Sequence, residues 1–445
     1  MKYPSRQHNA PLHLGVSITV SPYLERLLRM FLPAPTHFND VIVDGVISQA
    51  EISEAFTQLL GYVHEYEFNA TPTGYQVQFH TRHGLHTYEG VLAAHIDSER
   101  EWRWAQEYTF DIPELSLTQP ASDELVAAAR TLNGNGPAYL VPLDDGALDV
   151  VILSDVLPHL SMPAALTVGL GSLLAADPDA LRRAVLAYAA QRGLSFHENS
   201  GHLEVSSPDG ETACIDIARG TVSCPEWNGK NLSLSDVQSD AALVSAEHQL
   251  LFEGTYPDAH VAVDPHTATA TIKSAYGESA TAEATILAVV DDNWTWAWND
   301  EQLMHSPGVT RALGLKAFAM DNGIPELLGQ PIPLHRAQEL ALESVAKPVL
   351  REWVHAVASL PDGRRVMLLL QSPRLQLPAA TKASIAATLC CPLASMVNTQ
   401  RAIATYAHFR GIAPSAFDGY TLRLSCSDGS VLVSFNANGA IVGVN

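Results

Sequence analysis

A chain of 445 residues, 47 % of them hydrophobic, is long enough for two or three domains, each with its own core. Its 48 Asp and Glu against 26 Lys and Arg leave a net charge of −22. That excess argues against a nucleic-acid backbone or an anionic membrane surface as partner, because both require concentrated positive charge. The five cysteines (Cys214, Cys224, Cys390, Cys391 and Cys426) are too scattered for a disulfide framework and include no Cys-x-x-Cys metal pair. No stretch approaches the roughly 18 apolar residues of a membrane span. With no apolar signal segment after Met1-Lys2-Tyr3-Pro4, a cytoplasmic location is expected.

In chain order, residues 1–49 read as an N-terminal extension, with helical apolar spacing over Pro22 to Phe31 and a short strand over Val41 to Ile47. From residue 50 the chain reads as two tandem copies, 50–223 and 241–445, joined by a polar linker at 224–240. Ala55 to Leu60 matches Ala246 to Leu251, each ending a short helix. Tyr75 to Phe79 and Tyr88 to Ile96 match Thr269 to Lys273 and Ala282 to Val290, alternating stretches of an antiparallel meander. The second copy then carries an insertion near 300–334. The copies rejoin where Ser122 to Val126 meets Ala337 to Ala341, each opening a helix. A hairpin follows in each, with Asp145-Gly146 and Asp362-Gly363 predicting type I′ turns. Arg183 to Ala189 and Arg401 to Ala407 predict helices stopped by Gly193 and Gly411. Strands such as His202 to Ser206, Ala213 to Ile217 and Val431 to Phe435 close each copy. The fold class is therefore α+β, two tandem copies of an antiparallel β-sheet packed with helices.

The landmarks of this repeat are tryptophans. Trp294, Trp296 and Trp298 alternate in Asn293-Trp-Thr-Trp-Ala-Trp-Asn299, so on a strand all three share one face. An echo, Trp102 and Trp104, carries Gln106 in the third position. Aromatic rings bury on the order of 150–250 Å² each, so the row reads either as domain core or as an aromatic-lined pocket. In the second case Trp294, Trp296, Trp298 and Asn299 are the ligand-binding residues.

Other chemistry is sparse. His80, His83, His86 and His95 lie on the first meander, where a hairpin could bring His80 and His86 together as metal ligands with Glu89 and Asp97. Exposed hairpin histidines are the simpler account. Asp291, Asp292 and Asp300 form a possible acidic site, and Asp144-Asp145 reads as a solvated turn. Cys390-Cys391 ends a helical run over Lys382 to Leu389, where thiols are usually buried and inert. The chain has no nucleophile elbow, phosphate loop or dinucleotide fingerprint, so no cofactor, metal or catalytic residue is assigned.

Phe252-Glu-Gly-Thr-Tyr256, Val263-Asp264, the meander and the Trp294 to Asn299 segment resemble a bacterial family catalogued as domain of unknown function 6882, over roughly residues 245–370. That family has a Trp-x-Trp-Ala-Trp-x-Asn segment after antiparallel strands and a later helix and hairpin like Gln338 to Leu370. The resemblance implies a fold and its boundaries, and no catalytic residues. The functional expectation is a non-enzymatic cytoplasmic protein that binds a protein or small molecule, of the acidic kind that masks a basic partner. The alternative is a hydrolase-like enzyme in a cleft beside the tryptophan strand, using Asp291, Asp292, Asn299 and Asp300.

Overall fold

A computed structural model of the chain describes residues 32–61, 63–174, 176–224, 230–329, 331–394, 396–417 and 420–445. The expected helix over Pro22 to Phe31 lies outside these residues. The first described element is helix α1 (Phe38–Leu60), which the Asp40 carboxylate opens by accepting from the backbone N–H groups of Thr36 and His37. Gly61, at φ 60°, stops it. Val41 to Ile47 is thus helical, not a strand. Its β-branched residues prefer strands locally, but Val41, Val43 and Ile47 are buried against the helices around them, and that packing overrides propensity. Residue 50 falls in mid-helix, so α1 belongs to the first unit rather than to an extension.

After α1 come strands β1 (Val63–Thr71), β2 (Gly74–Thr81), β3 (Gly84–Ile96), β4 (Glu101–Trp104) and β5 (Gln119–Pro120), helix α2 (Asp123–Leu132), then β6 (Ala138–Pro142) and β7 (Leu148–Leu153). They form one antiparallel sheet in which β3 carries β2 and β4 along one edge and β7 along the other, with β6 beyond β7. Helices α3 (Met162–Gly171) and α4 (Pro178–Arg192) pack on α1, and a four-stranded meander follows, β8 (Ser195–Asn199), β9 (His202–Ser206), β10 (Thr212–Asp216) and β11 (Thr221–Ser223).

The second half opens with α5 (Leu234–Thr255), so the expected linker at 224–240 already contains a helix from 234 onward. A capping box at Ser233 and Asp236 starts it. Strands β12 (His260–Asp264), β13 (Thr269–Lys273), β14 (Ser279–Val290) and β15 (Asn293–Trp296) lead to helices α6 (Pro307–Thr310) and α7 (Leu313–Asn322). Strand β16 (Ile332–Pro333), helices α8 (Leu334–Glu339) and α9 (Leu342–Leu350), and the hairpin β17 (Val354–Ser359) and β18 (Arg365–Gln371) complete the sheet. The chain ends with α10 (Lys382–Leu389), α11 (Thr399–Phe409) and a meander of β19 (Ala413–Phe417), β20 (Thr421–Cys426), β21 (Gly429–Phe435) and β22 (Ile441–Val444). Both helices at Ala55 to Leu60 and Ala246 to Leu251 are long, 23 and 22 residues, rather than short.

In the second sheet β14 pairs with β13, β15 and β18, as β3 pairs with β2, β4 and β7. Each long strand carries a bulge against its hairpin partner, between Leu92 and Ala94 in one and between Ile286 and Ala288 in the other. One difference separates the sheets. Strand β12 also pairs in parallel with β17, Val261 opposite Ala358 and Ala262 opposite Ser359, closing a ring of five strands. Among the described residues no ladder joins β1 to β6. Pro142 stands opposite Leu148 in its hairpin where Ser359 stands opposite Arg365, and proline has no N–H to give to a ladder.

Both hairpin turns differ from type I′. In Leu360-Pro361-Asp362-Gly363 the Gly363 N–H donates to the Leu360 carbonyl, with Gly363 at φ 88°, and Gly146 does the same to Leu143 at φ 85°. Pro361 cannot take the positive φ that type I′ requires, so the turn is type I followed by a left-handed glycine bulge.

The halves meet where α3 lies against α7 and the turn at 325–329. A Cβ on Gly329 would stand 2.0 Å from the Gly171 carbonyl oxygen, so the two backbones touch. The Lys316 ammonium on α7 pairs with Glu54 on α1. The stretch expected as an insertion near 300–334 thus supplies contacts with the first half, through α7 and the turn at 325–329.

Candidate functional site

The tryptophan segment starts as expected and then turns. Trp294 stands opposite Val290 and Ile332, and Trp296 opposite Ala288. The strand ends there, and Ala297–Asn299 forms a 3-10 turn. Trp298 therefore does not continue the row along one face. It folds back and stacks flat on Trp296, centroids 4.8 Å apart at 6°, while Trp294 meets Trp296 edge-on at 5.3 Å and 79°. The Trp296 Nε1–H donates to the Glu326 carbonyl at 3.2 Å. Asn299 Nδ2 donates to the carbonyls of Leu328 and Gly329 at 3.4 and 3.0 Å, fastening the turn that touches Gly171. Trp294, Trp296 and Trp298 are 2 %, 0 % and 4 % exposed within one continuous core. The pocket expected from Trp294, Trp296, Trp298 and Asn299 is shut by the protein's own packing.

The first half has a corresponding arrangement. Trp102 faces Ile96, Trp104 faces Ala94, and the Trp104 Nε1–H donates to the Glu114 carbonyl at 2.9 Å. Tyr108 meets Trp104 edge-on at 5.4 Å, where the second half uses Trp298. The accepting carbonyls sit in matching 3-10 turns, Pro113–Leu115 and Pro325–Leu327. Both read Pro-Glu-Leu, a match already present in the sequence.

Of the acidic residues beside the row, the Asp291 and Asp300 carboxylates are occupied, while Asp292 accepts through its backbone carbonyl from the Leu334 N–H. Asp291 accepts from the Asn293 N–H at 2.9 Å. Asp300 accepts from the N–H groups of Gln302 and Leu303 and pairs with Arg364 at 2.8 Å. The hairpin histidines do not converge either. His80 pairs with Leu85 and His86 with Phe79, which puts the two imidazoles on opposite faces. His95 instead meets the buried Asp149 at 2.8 Å, and Asp149 also accepts from the Tyr75 hydroxyl. No group of three or more His, Cys, Asp or Glu side chains placed to hold a metal ion occurs among the described residues. Cys390 is exposed rather than buried, just past the end of α10.

A polar cluster that the sequence did not flag lies between α5, α9 and β17. The fully buried Lys347 ammonium donates to Ser245 Oγ and to His355 Nδ1, the latter at 2.7 Å. Burial pushes this lysine well below its usual range, and the nearby Glu343 carboxylate partly opposes that. Burial and then the Lys347 charge hold His355 down to about 3, so its ring is a neutral acceptor. His248 on α5, stacked on Trp353 at 6.0 Å, is pushed down to about 4, chiefly by burial. The first half places Arg130 likewise. Its guanidinium reaches Ser53 Oγ at 2.8 Å and the carbonyls of Gln49, Gly136 and Asn135. In both halves a cation, fully buried at Lys347 and half-buried at Arg130, ties the helix before the hairpin to the long opening helix. Lys347 is closed to solvent, so its amine fastens elements and meets no substrate.

Residues 235–373 match the sequence model of a family of unknown function (DUF6882). The DUF6882 segment runs from the start of α5 to the turn after β18, and so holds the closed ring, the tryptophan stack and the Lys347 cluster. No curated protein and no solved structure matches the chain. No helix among the described residues is long and apolar enough to cross a membrane. Away from the tryptophans, at the far end of β14, a shallow cleft is lined by Ser279, Ala280, Thr281, Ser372, Pro373 and Arg374. Arg374 is its one ionisable lining residue.

Proposed function

We propose that this chain is a non-enzymatic binding protein that meets its partner through surfaces away from the tryptophan row, in a cytoplasmic setting. The observation that carries this reading is the closure of the row. The polar groups beside it (Asp291, Asn299 and Asp300) bind backbone or Arg364 instead of converging on a cleft. Its strong negative charge suits a basic partner.

We also infer that the two halves descend from one duplicated unit. Paired bulges, paired Pro-Glu-Leu turns and paired Trp-to-carbonyl hydrogen bonds support it. So do the contacts of Arg183 on α4 with Asp44 on α1 and of Arg401 on α11 with Asp236 on α5.

Isolating the tagged full-length chain from its own cells under mild cross-linking tests the binding reading. A partner recovered in stoichiometric amount is the expected result. Recovery of no partner, together with turnover of a hydrolase substrate that Asp300→Asn abolishes, would replace it with the enzyme reading.

A further inference from the structure

Of the two seven-stranded sheets, one is closed and, among the described residues, the other is not. In the closed ring, β12 and β17 satisfy each other along their facing edges. Their counterparts β1 and β6 are left without a ladder among the described residues, and Tyr66 and Phe68 approach Tyr139 across the gap at 6.3 and 6.0 Å. Tyr66 is 57 % exposed although it stands opposite the buried Phe79 and shares its face, and Leu140 on β6 is 51 % exposed. An exposed strand edge is a template for another strand, and proteins normally cover or shorten it. Here β1 spans nine residues and is exposed over most of its length.

The two faces of β1 differ in chemistry. One presents Val63, Tyr66 and Phe68, and the other Glu65 and Glu67, with a bulge at His64. Strands β1, β2, β3, β6 and β7 contain no Lys or Arg, and Asp144 and Asp145 follow β6 at its turn. A second copy of β1 laid along this edge would set Glu65 and Glu67 against carboxylates of their own kind, which disfavours self-pairing. We propose that the outer edge of β1, which no described strand covers, takes an extended segment of another protein in which apolar residues alternate with Lys or Arg. Main-chain hydrogen bonds continue the sheet, the apolar side chains meet Tyr66 and Phe68, and the basic ones meet Glu65 and Glu67. This rests on the binding reading and names its surface and the chemistry of its partner.

The test uses the full-length chain and an acetylated, amidated peptide alternating lysine with valine, read by fluorescence anisotropy and amide hydrogen exchange. The peptide is expected to bind and to slow exchange across residues 63–71. A glutamate-for-lysine peptide should bind roughly tenfold or more weakly, about 1.4 kcal/mol. N-methylation of alternate amides in the lysine peptide should abolish binding, because it removes ladder donors. The Glu65→Lys, Glu67→Lys double variant should prefer the glutamate peptide. Protection that maps elsewhere, indifference to charge reversal, or concentration-dependent dimerisation through β1 would each overturn the proposal. If the tagged chain recovers a cellular partner and the double variant recovers it equally, the edge assignment falls while the binding reading stands. If the wild-type chain recovers none, the binding reading itself falls.

Discussion

Trp296 is the residue on which the second half is built. It is fully buried, edge-on to Trp294, stacked on Trp298 and hydrogen-bonded to the Glu326 carbonyl. Trp296→Ala should lower stability by about 3–5 kcal/mol in denaturant unfolding, the range for emptying a large aromatic site. A change well under 1 kcal/mol would contradict a core role. The alternation of Trp294 and Trp296 was legible because strand periodicity is local. The fold-back of Trp298 was not, because Asn299 is held by carbonyls about thirty residues further on. Lys347 was missed for a similar reason. With Glu343 four residues before it, it looks like an ordinary surface pair on a helix, and only the packing of α5 over α9 buries it. That burial has a consequence in pH. His248 and His355 have folded values of about 4 and about 3, below the free value near 6.5, so the unfolded chain binds the extra protons. Their contribution to stability is complete above pH 6.5 and is lost as pH falls through about 4 for His248 and about 3 for His355. Denaturant midpoints should decline across that window, and less steeply in His355→Gln. An unchanged slope would show that His355 is not held neutral.

Among the elements, the strands and the glycine-stopped helices were the most readable. Thr269–Lys273 and His202–Ser206 form where alternation placed them, and Lys382–Leu389 is the helix its composition suggested. Val41 to Ile47 failed because β-branched residues signal a strand locally, whereas here they are wrapped on several sides by helices. That wrapping is tight. A Cβ on Gly169 of α3 would come within 2.7–2.8 Å of Ile47 on α1. Gly169→Ala should therefore cost about 1–3 kcal/mol, as overpacking does, and Gly169→Ala with Ile47→Ala, which removes the Cγ2 atom in closest approach, should cost less than the two changes summed. Strict additivity in thermal unfolding would argue against direct contact.

At the scale of the molecule, two sheets with matching strand pairings differ in closure, and residues 313–329 lock the halves together. Gly329→Ala sets a methyl group against the Gly171 carbonyl, where backbone cannot yield cheaply. Calorimetry should show the unfolding transition broadening or splitting in that variant, while an unchanged single transition would mean the contact is not load-sharing. Neither the interface nor the open edge was visible in the sequence. Each depends on backbone positions that no local pattern encodes, although Pro142 was a hint that β6 could not pair on both sides. The most direct measurement is amide hydrogen exchange on the free full-length chain, comparing β12 with β1. The account predicts slow exchange at Val261 and Ala262, beside β17, and exchange faster by roughly a hundredfold or more along the outer edge of β1. Equal protection of the two strands would contradict it.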